Sequence, residues 1–322
     1  MTRCFRYAFA AFACMLAAAS AFAQGYPARP IRMLVPFSAG GTVDIVARAV
    51  GAKLAADLRQ PFVVENKAGA GGTIGVATLA KSPGDGYTLM VMNQALTFSA
   101  SLYSDLPYDT LRDLAPIAYV GATPNALVVA NSLPVRTVQE FLAYARANPG
   151  RIAYGSAGIG SAGHLPVELF QSLTGTRLTH VPYKGNVPAL TDLVGGQIQA
   201  MLLAMPAVMP YVKGGKVRAL ATSGARRSPA LPELPTIAEA GVPGYEYTTW
   251  FGMFGPGTLP KELTARLNTA VNKALADAGL GEKLAQQGLE VQAMTSGQFS
   301  EIVRADVTRW GKIIRELGVR PE

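Results

Sequence analysis

Two short stretches carry the residues best suited to chemistry, Ser38-Ala39-Gly40-Gly41 and Ser156-Ala157-Gly158, each at the end of an apolar run and each leading into a helical pattern. Small residues at such a junction let the backbone turn sharply and present its N–H groups, which at a helix start make an anion site. The second stretch runs on through Ile159, Gly160, Ser161, Ala162 and Gly163 to His164, small enough for a ligand oxygen to reach the main chain. One such loop in each half of the molecule is expected to face the other across a cleft. The helix after the first loop opens with Thr42-Val43-Asp44, where Thr42 or Asp44 caps it, or Asp44 orders the loop amides. A third glycine segment, from Asn66 through Gly71 and Gly72 to Gly75, either adds amides at the cleft edge or is a plain strand-to-helix turn.

Other chemistries fit these residues poorly. Gly158-Ile159-Gly160-Ser161-Ala162-Gly163 matches the dinucleotide pattern, but about 20 residues on, where an acidic ribose ligand belongs, stand Thr179, His180 and Val181. Ser156 and Ser161 each follow a glycine directly, whereas a nucleophile elbow reads G-x-S-x-G. The two histidines are the sole candidates for a catalytic base. His164 reads as a loop-ordering group at a helix start and His180 as a strand-end residue. They lie sixteen positions apart with no clustered carboxylates, so no metal-ligand set is recognisable. No cofactor is implied.

The elements that position these loops alternate between short apolar runs and helical patterns. Strands are expected at 31–36, 62–65 and 88–92, with helices over 44–58 and 72–80; the rhythm resumes with strands at 151–154, 178–181, 198–203 and 217–222 and helices over 138–147, 164–173 and 188–194. This is α/β alternation in two lobes. The last section, over 259–279, 281–287 and 296–317, reads as helices with no strand between them and is expected to pack back on the first lobe. Crossings between lobes fall near 114–123 and 245–254, giving domains at 24–120 with 249–322 and at 121–248.

Arg3 and Arg6 precede an apolar, alanine-rich stretch that ends in Ala21-Phe22-Ala23, the anatomy of a signal peptide over 1–23 cut after Ala23. Lipid attachment at Cys14 is the competing reading. Both cysteines, Cys4 and Cys14, lie inside that leader, so the mature chain carries no thiol chemistry. No later stretch is long and apolar enough to span a membrane, and a soluble periplasmic protein is expected. The 29 basic residues exceed the 21 acidic ones and favour an anionic partner, yet they are scattered, with Arg226-Arg227 the only tight cluster. That argues against nucleic acid.

Taken in order, several segments resemble the tripartite tricarboxylate transporter receptor family, the Bug-type extracytoplasmic solute-binding proteins. They are Pro36 through Arg48, Glu65 through Gly72, Asp85 through Leu89, Tyr154 through Ser161, Val181-Pro182-Tyr183-Lys184-Gly185, Leu234 through Gly241 and Trp250-Phe251-Gly252. The resemblance implies a Venus-flytrap α/β fold of periplasmic binding-protein type II, in which amides of two loops grip a ligand carboxylate. Carried onto this chain, the grip falls to Ser38, Ala39, Gly40, Gly41, Ser156, Ala157, Gly158, Gly160 and Ser161, with Asp44, Gly71, Gly72, His164, Tyr183 and Asp192 in supporting positions. It further implies a monomer that delivers a small organic acid to membrane permease subunits and performs no catalysis. A secreted esterase-like hydrolase is the alternative. Two departures stand out: Gln199 and Ala204 occupy positions that are commonly acidic in the family, which argues against an amino-acid ligand. Met201, Met205, Met209 and Phe254 are either an apolar floor for the ligand or ordinary core.

Overall fold

The computed structural model describes residues 26–321, so the expected signal peptide, its cleavage site and Cys14 lie outside the described residues. The first lobe is built on a buried parallel core. Strand β1 (Ile31–Val35) is flanked by β2 (Phe62–Asn66) and β3 (Thr88–Asn93), both parallel to it. Its apolar side chains on both faces are what a strand covered on both sides needs. Helix α1 (Thr42–Leu58) buries Val43, Val46, Ala47, Val50 and Leu54, a 3–4 spacing that lays one stripe on the sheet. Gly51 on that stripe faces Met33 and Phe62. Helices α2 (Thr73–Ala80) and α3 (Ala95–Leu102) complete the alternation.

Strand β4 (Leu114–Val129) links the lobes because its 16 residues belong to two sheets. Its first part pairs antiparallel with β9 (Thr248–Pro256), as far as Pro124 opposite Thr248; from Asn125 onward it pairs with β7 (Ala200–Ala204) and β8 (Arg218–Thr222). Across the second sheet, β5 (Ala153–Ser156) lies parallel to both β7 and β6 (Thr179–Pro182). Helices α4 (Val138–Ala147), α5 (Leu165–Thr174), α6 (Asn186–Val194) and α7 (Met205–Lys213) belong to this lobe.

The C-terminal helices α8 (Lys261–Leu275), α9 (Ala278–Ala285) and α10 (Ser296–Leu317) return to the first lobe. There α10 packs on α3 and β4, with the Trp310 ring 4.5 Å from that of Phe98. Contrary to the all-helical expectation, a two-residue strand β10 (Glu290–Val291) pairs antiparallel with β4 at Gly121 and Ala122. A side chain at Gly121 would strike the Glu290 carbonyl, so this crossing needs glycine. Helix α7 was not anticipated either: its sequence is apolar nearly all round and carries Pro206 and Pro210, which read as breakers. Pro206 sits in the first turn, where its missing N–H is harmless.

Candidate ligand-binding site

The ends of the strands that carry glycine loops converge between the lobes, and there the lobes touch. The first loop meets the turn after β6: a Cβ on Gly185 would fall 2.1 Å from Ser38 Oγ, and one on Gly40 would lie 3.4 Å from Val187. The third glycine segment meets the second loop: a Cβ on Gly71 would lie 2.3 Å from the Ile159 carbonyl, and Tyr103 OH donates to the same oxygen at 3.3 Å. Each Ser-Ala-Gly loop thus meets a glycine turn of the opposite lobe.

Behind these contacts is a small cavity that admits water centres over about 20 Å³. The start of α1 contributes Thr42 and Val43, the turn before α5 contributes Ser161, Ala162 and Gly163, α6 contributes Asn186, and Ala204 precedes α7. Its remaining walls include Asn93, Asn125 and Ala157. Residues at or just before four helix starts thus border one space, and the N-terminal end of a helix dipole is positive. No ionisable side chain is among the lining residues. Of the residues expected to bind, Ala157 and Ser161 line this cavity; Asn93, Asn125 and Asn186 were missed, because the lobes must be docked before their convergence is visible.

The first loop is ordered by charge. Neither Thr42 nor Asp44 caps α1; Gly41 is the N-cap and makes no side-chain cap bond. Asp44 instead accepts Gly40 N at 2.9 Å, Arg48 Nε at 2.8 Å and Asn66 Nδ2 at 2.9 Å, while the same Asn66 nitrogen donates to the Phe37 carbonyl at 3.0 Å. Burial pushes the Asp44 pKa up, but these hydrogen bonds and the Arg48 charge outweigh it and hold the carboxyl below its ordinary value. The Gly40 amide is thereby committed within its own lobe. The first bond of the helical ladder runs from Ile45 N to Gly41 O, leaving the Thr42 and Val43 amides outside it.

The second loop is ordered without charge. Gly160 N donates to His164 Nδ1 at 3.2 Å, Gly158 N donates to Ser156 Oγ at 3.1 Å, and Ser156 Oγ lies 2.7 Å from His180 Nε2. The two imidazoles stack at 4.1 Å, with the Tyr154 ring 4.8 Å from His180. Burial, aided by His180, lowers the His164 pKa to about 3, and burial lowers that of His180 to about 4. A neutral ring can accept at Nδ1, as His164 does here. Spacing did not reveal the Ser156–His180 contact, which has nucleophile–base reach. Ser156 is nevertheless fully buried, and Glu168, 3.9 Å from His164 Nε2, stands by the other histidine.

Several sequence candidates are structural. Tyr183 OH donates to Asp192 Oδ2 at 2.6 Å, pairing two expected support residues, and burial pushes the tyrosine pKa up to about 12. Gln199 Oε1 accepts Ala153 N at 2.9 Å and its Nε2 donates to the Gly196 carbonyl at 3.2 Å, outside the cavity lining. Met201, Met205, Met209 and Phe254 are buried core, Met205 and Met209 packing with Leu231.

Two α/β lobes joined by a strand shared between their sheets define the periplasmic binding-protein class, and the solved structure of periplasmic binding protein BugD superposes on this chain. The profile described as tripartite tricarboxylate transporter family receptor matches residues 46–319, and the chain belongs to that family. BugT of Bordetella pertussis is 40% identical over 306 residues, covering 94% of each chain. Among solved structures, R. palustris Rpa4515 with adipate shares 38% identity at a TM-score of 0.89, over 92% of this chain and 100% of that one. MatC (Rpa3494) from Rhodopseudomonas palustris with bound malate shares 32% at 0.86, over 90% and 100%. Among the described residues no helix is long and apolar enough to cross a membrane.

Proposed function

We propose that this protein is a periplasmic receptor that captures one small organic acid for a tripartite tricarboxylate-type permease, holds its carboxylate on main-chain amides from both lobes, and performs no reaction on it. The observation that carries this reading is the cavity between the lobes, lined by four helix starts and by no ionisable side chain. Each exposed helix terminus favours an anion by only about 0.3–1 kcal/mol, and up to about 2 when partly buried, so several must act together. Rpa4515 was solved with adipate and MatC with malate, both dicarboxylates. The amides available are those the loops do not use internally, among them Thr42, Val43, Ala162 and Gly163. Those of Gly40, Gly158 and Gly160 hold the loops in shape.

On this reading the lobes are 24–120 with 249–322 and 121–248, the leader is cut after Ala23, and the mature chain acts as a monomer. With the lobes as they stand the cavity admits water centres over only about 20 Å³, so on this reading the lobes part to load a dicarboxylate and close over it, turning where β4 passes between the sheets. Against the hydrolase reading stand the full burial of Ser156 and the absence, among the described residues, of a carboxylate bonded to His180.

Calorimetry with mono-, di- and tricarboxylates tests this, with product analysis of each bound acid and small-angle scattering at saturation. One acid should bind, return unchanged and reduce the radius of gyration. Binding of none, or turnover by catalytic amounts of protein, overturns the reading.

A further inference from the structure

Successive side chains of a strand point to opposite faces. On β4, Asn125 lines the cavity between the lobes, while Ala122 and Pro124 line a separate groove on the reverse face that admits water centres over about 410 Å³. Thr248 of β9, which pairs with Pro124, lines the groove as well, so it runs along both strands on which the chain passes between the lobes. The turn over 224–228 after β8 and the end of β10 over 290–292 complete it. At Gly121 and Ala122, β4 pairs with β9 along one edge and β10 along the other. Arg226 spans the groove to Glu290, its Nη2 lying 3.2 and 2.9 Å from the two carboxylate oxygens. On the lobe boundaries read above, that ion pair takes one partner from each lobe. The groove has no part in holding the acid.

We propose that this groove is the clearance the lobes need in order to part, and that its filling sets the balance between parted and docked lobes. The proposal rests on the reading that the lobes part to load an acid, and adds a control point on the other side of the hinge strands. Those strands lie between cavity and groove, so a rotation about them that widens the cavity narrows the groove. Packed side chains compress little, and the lobes can part only as far as the groove has empty room. Bulk held there opposes the parted state alone. It shifts the population toward the docked state and raises the apparent affinity by the same factor, although it touches neither the acid nor the cavity. The ion pair acts the other way, because opposite charges on facing walls draw the groove narrow. Like charges in the same places would prop it open until salt screened them.

The test uses the full mature chain, with tryptophan placed in the groove at the partly buried Thr248 or the exposed Ala225, and as a control at Val63, 54% exposed on β2 and outside the groove lining. Small-angle scattering of the ligand-free proteins is read beside calorimetry with adipate and malate, and circular dichroism checks that each variant is folded. Thr248→Trp and Ala225→Trp should each have a smaller radius of gyration than wild type. Each should bind whichever acid wild type binds at least about three-fold tighter, as when the docked fraction of free molecules rises from about a third to nearly all. Glu290→Arg should tighten binding about two-fold at low salt and return to wild-type affinity at about 1 M salt, where the screening length is about 3 Å. Val63→Trp should change neither quantity. Folded groove variants that keep the wild-type radius and affinity, or that are more extended and bind more weakly, overturn the proposal. A wild type whose radius does not change when an acid saturates it overturns the parting of the lobes, and this assignment with it. If neither acid binds, the ligand-free radii decide, and groove variants no more compact than wild type overturn the clearance.

Discussion

In the first lobe the glycine loop is tied to Asp44, a carboxylate 3% exposed whose partner Arg48 is 52% exposed; in the second, the corresponding loop is tied to two stacked imidazoles that burial keeps neutral. The same strand–glycine–helix plan is thus braced by a charge in one lobe and by neutral rings in the other. The difference follows from solvent access. A carboxylate can be buried when a guanidinium reaching water and hydrogen bonds compensate it, whereas the stacked imidazoles are flanked only by Glu168, 3.9 Å from His164 Nε2 and already accepting from Tyr154 OH, so charging them is costly. Both braces consume amides to hold the loop, Gly40 N in the first lobe and Gly158 N and Gly160 N in the second.

The largest effect should come from breaking the contact between lobes at a loop glycine. Gly158 has φ +114, and a Cβ there would approach Gly71 N of the opposite lobe to 3.2 Å. Gly158→Val therefore strains the loop and holds the lobes apart. Calorimetry should find binding weakened at least about 100-fold, about as much as losing one strong hydrogen bond to a charged group, while circular dichroism shows folded lobes. Retained affinity in a folded variant would mean that the two loops do not act together.

That contact also marks the limit of what the sequence conveys. The strand–helix alternation, both Ser-Ala-Gly loops and the return of the C-terminal helices are legible because periodicity and glycine placement are local signals. The choice between capping and loop-ordering for Asp44 is not local: it depends on Asn66 and Arg48 reaching the same carboxylate. Nor does the sequence reveal that the first loop meets Gly185 and Val187, since that depends on how the lobes dock. Asn125 was invisible for the same reason. It lies within one long strand and becomes a cavity residue only because β4 changes sheets there.

Acid should separate the two braces. A histidine whose folded pKa is depressed contributes stability that is full above its unfolded value of 6.5 and falls away as the pH drops through the gap, here to about 4 for His180 and about 3 for His164. Asp44, also depressed, keeps its contribution until the pH falls below its ordinary 3.8. Between pH 7 and 5 the second lobe's brace alone responds. Urea unfolding should show a loss on the order of 1–2 kcal/mol per imidazole over that interval. His180→Phe, which keeps the stack, should remove about half of it, since one of two titrating rings is gone. Asp44→Asn should lower stability at both pH values and leave the loss intact. If the loss disappears with Asp44 instead, the assignment of the two braces is reversed.

The smallest effect is expected at Gln199, where the family commonly carries an acid. Its carbonyl oxygen accepts Ala153 N and its nitrogen donates to the Gly196 carbonyl, so the side chain fastens the turn before β7 to the start of β5 and does not reach the cavity. Gln199→Glu keeps the acceptor, loses the donor and sets a carboxylate against a carbonyl. A single neutral hydrogen bond is worth about 0.5–1.5 kcal/mol, and urea unfolding should show a loss within that range. Ligand selectivity should not change, because the side chain does not reach the cavity and no carboxylate enters it. Ala204 is the contrasting position: it lines the cavity at the start of α7, so Ala204→Asp places the charge where Gln199→Glu cannot. Were Gln199→Glu alone to admit aspartate or glutamate, the cleft would have to extend to the β5–β7 edge, and the site would be larger than the four helix starts define.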